Sequence, residues 1–186
     1  QELLGPGFGG LIPGLAAAGV TPDDVDMVVL THAHPDHLGG LIRGSDAVFK
    51  NAELALGEVE AGFWTDEAMM AQAPDEAKGM FQLAQTVLGA YGDRVTRIAD
   101  GAEAAPGLSM LMIADTLASA DVHTALPDVG FGFDSDPAQA AESRRRVFDM
   151  VSADKTLVAG SHIHFPGFGR ILADGEAYRY VPTTWM

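Results

Sequence analysis

Three of the chain's six histidines fall within six positions, in the run Thr31-His32-Ala33-His34-Pro35-Asp36-His37. The run follows directly on Val25 to Leu30, a β-branched stretch that reads as a strand buried on both faces. Loops at the carboxyl ends of strands are where a rigid sheet aims reactive side chains. In an extended loop, residues two apart project to the same side, so His32 and His34 can share one metal ion. Asp36 and His37, displaced beyond Pro35, can face a second ion. Two ions roughly 3.5–4 Å apart suit a shared hydroxide. The plainer alternative is a solvated His-rich turn or a weak single-metal surface site. Four donor side chains at this spacing, straight after a buried strand, favour the metal pair.

The rest of the composition narrows the chemistry. The chain has no cysteine, so disulfides and thiolate ligands are excluded and any metal is held by imidazole and carboxylate. Zinc is the natural occupant of such a set, with two ions expected, one as the lesser case, and iron, manganese or cobalt as alternatives. Acidic residues number 26 against 11 basic ones, a formal charge of −15. That balance argues against nucleic acid or an anionic membrane as a partner. No apolar run approaches the ~20 residues that span a bilayer. The expected partners are a small-molecule substrate and, as an option, a second copy of the chain. A soluble protein is expected, of bacterial type, and the sequence leaves cytoplasm and periplasm open. The start Gln1-Glu2-Leu3-Leu4 has neither an initiator Met nor a basic leader region, and reads as a processed or trimmed chain.

With 186 residues, 22 glycines and 10 prolines, a single domain of many short elements is expected over residues 1–186. Residues 10–19 read as a short helix closed by Gly19, and Thr21-Pro22-Asp23-Asp24 as a capped turn. Ala47–Phe49 and Glu53–Leu56 are strand candidates, and Gly57–Trp64 starts a helix. Residues 75–91 carry apolar side chains at helical spacing. Val95–Ile98, Leu108–Ala114 and Thr156–Ala159 follow as strands. Asp136-Pro137 caps a helix running to about Ala153, whose Arg144-Arg145-Arg146 triplet reads as a solvated face. Residues 169–173 and 176–181 form a hairpin around Asp174-Gly175. The mixture is α+β, with strands ending at histidines or aspartates three times.

Residues 31–40, Thr-His-Ala-His-Pro-Asp-His-Leu-Gly-Gly, resemble the HxHxDH signature of the metallo-β-lactamase-fold hydrolases. Two further stretches are similar: Ile113-Ala114-Asp115-Thr116 with Phe133-Asp134-Ser135-Asp136-Pro137, and Ala159-Gly160-Ser161-His162 with Phe165-Pro166-Gly167-Phe168-Gly169. Together they resemble the branch containing methyl parathion hydrolase and related lactonases. The resemblance implies an αββα sandwich in which His32 and His34 bind a first metal and Asp36, His37 and His162 a second. Asp115 matches the carboxylate that bridges the ions. Independently, Asp115 ends an apolar strand, where a cation would relieve a costly carboxylate, although a turn cap would also account for it. For His162 the alternative is a hydrogen-bonded core histidine, and His164 could stand in for it. The family's further histidine is not found between Pro106-Gly107 and Asp115. One internal hairpin and the strands that precede Gly5-Pro6-Gly7 are expected to be lacking too: either the chain has been trimmed of segments, or the first metal site is depleted. His123 is a weak candidate to fill it.

The resemblance implies a metal-bound hydroxide that cleaves an ester, lactone or organophosphate triester. Asp36 is the catalytic candidate, orienting the nucleophile and passing a proton. His123, Phe165 and Phe168 are candidates for an apolar substrate pocket, with Phe63, Trp64 and Trp185 beside them. A thioesterase or β-lactamase of the same fold, a catalytically depleted metal-binding protein and a diiron redox protein are the competing readings.

Overall fold

The computed structural model describes residues 9–104 and 110–183. The expectations for Gly5-Pro6-Gly7, for Pro106 to Ser109 and for Trp185 lie outside those residues. The chain divides into two compact units, Gln1–Pro106 and Gly107–Met186.

The first unit opens with α1 (Leu11–Ala17) and the turn Pro22–Asp24. In that turn Thr21 and Asp24 cap each other reciprocally. There follow β1 (Met27–Val29), α2 (Pro35–Leu38), the hairpin β2 (Ile42–Arg43) and β3 (Asp46–Ala47), and β4 (Glu53–Gly57). Then come α3 (Glu58–Thr65), α4 (Glu67–Gln72), α5 (Asp75–Tyr91) and β5 (Val95–Ile98). The main sheet is parallel, in the order β1-β4-β5.

Burial on both faces, expected for the stretch before the histidine run, belongs instead to β4, the strand with partners on either side. Its Leu54, Ala55 and Leu56 are essentially inaccessible, whereas Met27 on the edge strand β1 is 37% exposed. α5 matches its predicted span and turns Phe81, Ala84, Val87 and Tyr91 inward at intervals of three and four. Tyr91 also donates its hydroxyl to the Leu41 carbonyl at 3.2 Å. α4 was not anticipated; Asp66 caps it by accepting from the Ala68 and Met69 amides. The core gathers Leu30, Leu38, Leu54, Leu56, Trp64 and Phe81.

The second unit contains β6 (Met110–Met112), α6 (Ala120–Ala125), α7 (Pro137–Asp154), β7 (Leu157–Ala159), β8 (Phe168–Asp174) and β9 (Ala177–Pro182). Its sheet has the order β6-β7-β8-β9, with β6 and β7 parallel and the other pairs antiparallel. The terminal hairpin turns at Gly175-Glu176, between paired Asp174 and Ala177, and Gly175 supplies the positive φ of 65°. α7 starts as predicted, with Asp136 accepting from the Ala138 and Gln139 amides ahead of Pro137. Its inward face carries Phe148 and Val151, which join Ile113, Leu117, Val158 and Ile171 in a separate core.

The arginine triplet corrects the sequence reading. Arg144 is 1% exposed rather than solvated. It lies four and seven residues before Phe148 and Val151, on the same buried face. Among the described residues no helix is long and apolar enough to cross a membrane.

Candidate metal centre

In the first unit, buried Leu30, Ala33 and Leu38 anchor the loop after β1, and the polar residues between them are left only partly covered. Leu30 extends the strand pairing through its amide to the Ala55 carbonyl, at 2.8 Å. His34 is extended (φ −70°, ψ 152°), as a residue before proline prefers, and Pro35 opens the single turn α2. The amides of His37 and Leu38 close that turn onto the His34 carbonyl at 3.0 and 3.1 Å. Gly39 ends it where a Cβ would lie 2.6 Å from the Pro35 carbonyl oxygen, so no larger residue fits.

This backbone gathers the imidazoles. His32 Nε2 lies 3.0 Å from His34 Nδ1. The His32 ring centroid is 4.6 Å from that of His34 and 4.0 Å from that of His37. His37 Nε2 is 3.4 Å from Asp36 Oδ2. A tetrahedral zinc ion with ligands at about 2.0–2.1 Å separates its donor atoms by about 3.3 Å. These nitrogen and oxygen spacings are close to that value, and the donor types suit zinc, so the residues fit the ion the sequence calls for.

In the second unit, the parallel register pairs Met112 with Ala159. Parallel strands end at the same edge of a sheet, and Asp115 and His162 each follow their strand's last residue by three. The result is a carboxylate beside an imidazole: Asp115 Oδ1 is 3.3 Å from His162 Nε2, with both side chains about one-third exposed. Asp115 sits in a tight turn, Ala114–Thr116, rather than on the strand itself. Ala114 before it has φ +44°, a left-handed conformation unusual for a residue with a Cβ. His162 belongs to a loop closed by the Gly160 amide on the Gly167 carbonyl (3.1 Å) and the Gly167 amide on the His164 carbonyl (2.9 Å).

The expected pocket residues have different surroundings. Phe165, in the same loop as His162, is 87% exposed, and Phe168 is half-buried at the start of β8. His123 is 3% exposed on α6; its Nδ1 lies 3.2 Å from both the amide and the carbonyl of Ser119. Burial, and secondarily the Arg144 guanidinium, hold the His123 pKa below its ordinary value. Trp64 is core rather than pocket, at 5% exposure, while Phe63 beside it is 40% exposed. A groove of about 330 Å³ in the second unit, lined by Leu126, Pro127, Val129, Arg145 and Glu176, includes none of the candidate residues.

Two residues of consequence were missed by sequence reasoning. Glu60 on α3 accepts hydrogen bonds from the Ala33 amide (2.8 Å) and the Trp64 indole N–H (2.6 Å) through one oxygen. Arg144 donates to the carbonyls of Thr116 (2.6 Å), Pro127 (2.7 Å) and Val129 (3.0 Å).

The sequence profile of the metallo-beta-lactamase superfamily matches residues 3–162. No curated protein sequence matches the chain. Among solved structures, the chain is similar to AbOPH, described as a hydrolase in the beta lactamase superfamily. That match has 26% identity and a TM-score of 0.88, covering 98% of this chain and 72% of the other. The fold is also similar to that of AidC, described as a dizinc quorum-quenching lactonase, at 23% identity and a TM-score of 0.81 over 96% of this chain and 71% of that one. A probable metal-dependent hydrolase from Staphylococcus aureus is similar at 20% identity and a TM-score of 0.67, with 94% and 69% covered.

Proposed function

Because the chain belongs to the metallo-beta-lactamase superfamily and is a hydrolase of that fold, we propose that it cleaves an ester, a lactone or an organophosphate triester at a two-metal centre. The proposed ligands are His32 and His34 for one ion, Asp36, His37 and His162 for the other, and Asp115 shared between them. The observation that carries this reading is the crowding of three imidazoles and a carboxylate in residues 32–37, with donor atoms 3.0 and 3.4 Å apart. Donor atoms at these spacings match the separation of the ligands around one zinc ion, and imidazole with carboxylate is a donor set that suits it. The match to the superfamily, running across both units from residue 3 to residue 162, supports reading them as one domain.

Zinc held by these residues would lower the pKa of a bound water toward neutrality and polarise the electrophile's oxygen. The chain's own groups do the rest. Asp36, whose side chain is 36% exposed, can orient the attacking water and hand a proton to the leaving group. Phe165 offers an exposed apolar surface three residues from His162, suited to an acyl chain or aryl ring. One of the similar structures is described as a lactonase in complex with a product, N-hexnoyl-L-homoserine, which supports the lactone reading over a thioester or a β-lactam.

The experiment is turnover of a nitrophenyl phosphotriester, an acyl lactone, a nitrophenyl ester and an acyl thioester, with zinc added and then chelated. Zinc-dependent turnover of any of the first three is the expected result. Turnover of the thioester alone would move the substrate class, and no turnover of any with zinc shown to be bound would remove the enzymatic reading.

A further inference from the structure

We infer that Glu60 is a positioning residue that holds the His32-Ala33-His34 segment in its metal-binding geometry. The inference rests on the metal reading above and concerns a residue outside the ligand set. Ala33 is 1% exposed and lies between the two candidate ligands. A buried amide needs an acceptor. The Ala33 N–H finds its acceptor in Glu60, which comes from a different element, twenty-seven residues along the chain.

The same carboxylate oxygen accepts the Trp64 indole N–H at 2.6 Å, one helical turn further along α3. Trp64 is itself fixed, packed on Phe81 with ring centroids 4.7 Å apart and edge-on to His34 at 5.8 Å. Glu60 is thus clamped on its helix by one donor and clamps the loop through the other. Both bonds end on a carboxylate, which makes them stronger than bonds between neutral groups.

The geometric consequence is direct. His32 and His34 keep their ring nitrogens 3.0 Å apart only while the backbone between them is held in place. Fixing the Ala33 amide fixes that backbone. Without Glu60 the buried amide would lack its acceptor, and the loop would rotate to satisfy it elsewhere, separating nitrogens that now lie 3.0 Å apart. Metal sites commonly depend on such outer partners, whose loss costs about 10–100-fold in metal affinity.

The test compares the full chain with Glu60→Ala, Glu60→Asp and Glu60→Gln. Zinc affinity is measured by competition with a chromogenic chelator, and exchange of the Ala33 amide is followed by NMR on the metal-free protein. Circular dichroism checks the fold. Glu60→Ala is expected to weaken zinc binding by about 10–100-fold and to speed Ala33 exchange. Glu60→Gln, which keeps an acceptor oxygen in place, is expected to restore most of the affinity, a rescue that a purely charge-based or general stability role would not produce. Should Glu60→Ala fail to fold, Glu60→Asp serves: its carboxylate is a methylene too short for Ala33 and must show the same losses. Wild-type zinc affinity in the folded Ala or Asp variant overturns the inference, as does an unprotected Ala33 amide in the parent. A parent chain that binds no zinc would overturn the metal reading and this inference together, whereas equal binding by parent and variants removes the inference alone.

Discussion

Arg144 donates its Nε–H to the carbonyl oxygen of Thr116 at 2.6 Å, and Thr116 is the residue directly after Asp115. Its Nη1 reaches the carbonyls of Pro127 and Val129, and its Nη2 lies 3.9 Å from Asp134. One guanidinium buried in the middle of α7 thereby gathers the start, middle and end of the connection from Asp115 to α7. That connection contains α6 but has few apolar residues of its own in the core, so the arginine does what side-chain packing does elsewhere. A lysine could not, because a point charge lacks the planar fork that meets three carbonyls at once.

Replacing Arg144 by methionine should therefore be costly despite the similar volume. Three carbonyls would lose their donor and Asp134 its nearest cation. The expected loss is about 3–5 kcal/mol of unfolding free energy, the range for stripping one partner from a buried charged network. Urea denaturation of the metal-free chain measures it. The exposed neighbour Arg145, 40% exposed and paired with Asp128, is the control. Arg145→Met should leave the unfolding free energy close to that of the parent, because an exposed ion pair is screened by solvent. Similar losses for both would contradict the assigned role.

His123 should make stability depend on pH in a defined direction. Burial first, and Arg144 second, lower its folded-state pKa, against a smaller opposing pull from the Ser119 backbone and Asp134. The unfolded chain then takes up a proton near pH 6.5 while the folded chain does not. Stability contributed by the neutral ring is fully present above that pH and is lost as pH falls toward the folded-state pKa. Unfolding free energies taken from pH 8 to pH 5 should fall more steeply for the parent than for His123→Gln. Equal slopes would show that His123 does not carry the effect.

Ala114 precedes Asp115 with φ +44°. Left-handed backbone costs a residue with a Cβ roughly 1–2 kcal/mol, a strain that glycine avoids. Ala114→Gly should then be neutral or stabilising by about 1 kcal/mol, the gain in the folded state being partly offset by the freer unfolded chain. Thermal denaturation checks this. A clear loss of stability would mean that Ala114 is not held in this conformation in solution.

What the sequence disclosed followed locality. The histidine run shows itself because its donors are contiguous and follow a strand. Asp115 and His162 show themselves because each stands just past an apolar run. α5 and α7 were legible to within a residue, since periodicity and the Asp136-Pro137 cap are local signals. Glu60 was not, because its role depends on α3 lying against the loop after β1, a tertiary fact. The one local hint was its spacing of four from Trp64. Arg144 was misread by its company: a run of three arginines suggests solvent, but only Arg144 shares the face of Phe148 and Val151, and that spacing of four and seven was the overlooked signal. β1 was over-read because a β-branched run says nothing about which strand of a sheet has neighbours on both sides.

The choice between His162 and His164 is the sharpest remaining test of the ligand set. Both lie in the loop between β7 and β8, two residues apart with buried Ile163 between them. His162 places Nε2 3.3 Å from Asp115. Its place beside that carboxylate sets His162 apart from His164, whose carbonyl closes the loop by accepting from the Gly167 amide. His162→Ala should lower the zinc retained per chain after gel filtration, read by elemental analysis. It should also shrink the stabilisation that zinc gives the folded state, which for a ligand at a hundred times its dissociation constant is about 2.7 kcal/mol. His164→Ala should leave both quantities as they are in the parent. The reverse pattern, with zinc lost only on changing His164, would reassign the second ion's distant ligand.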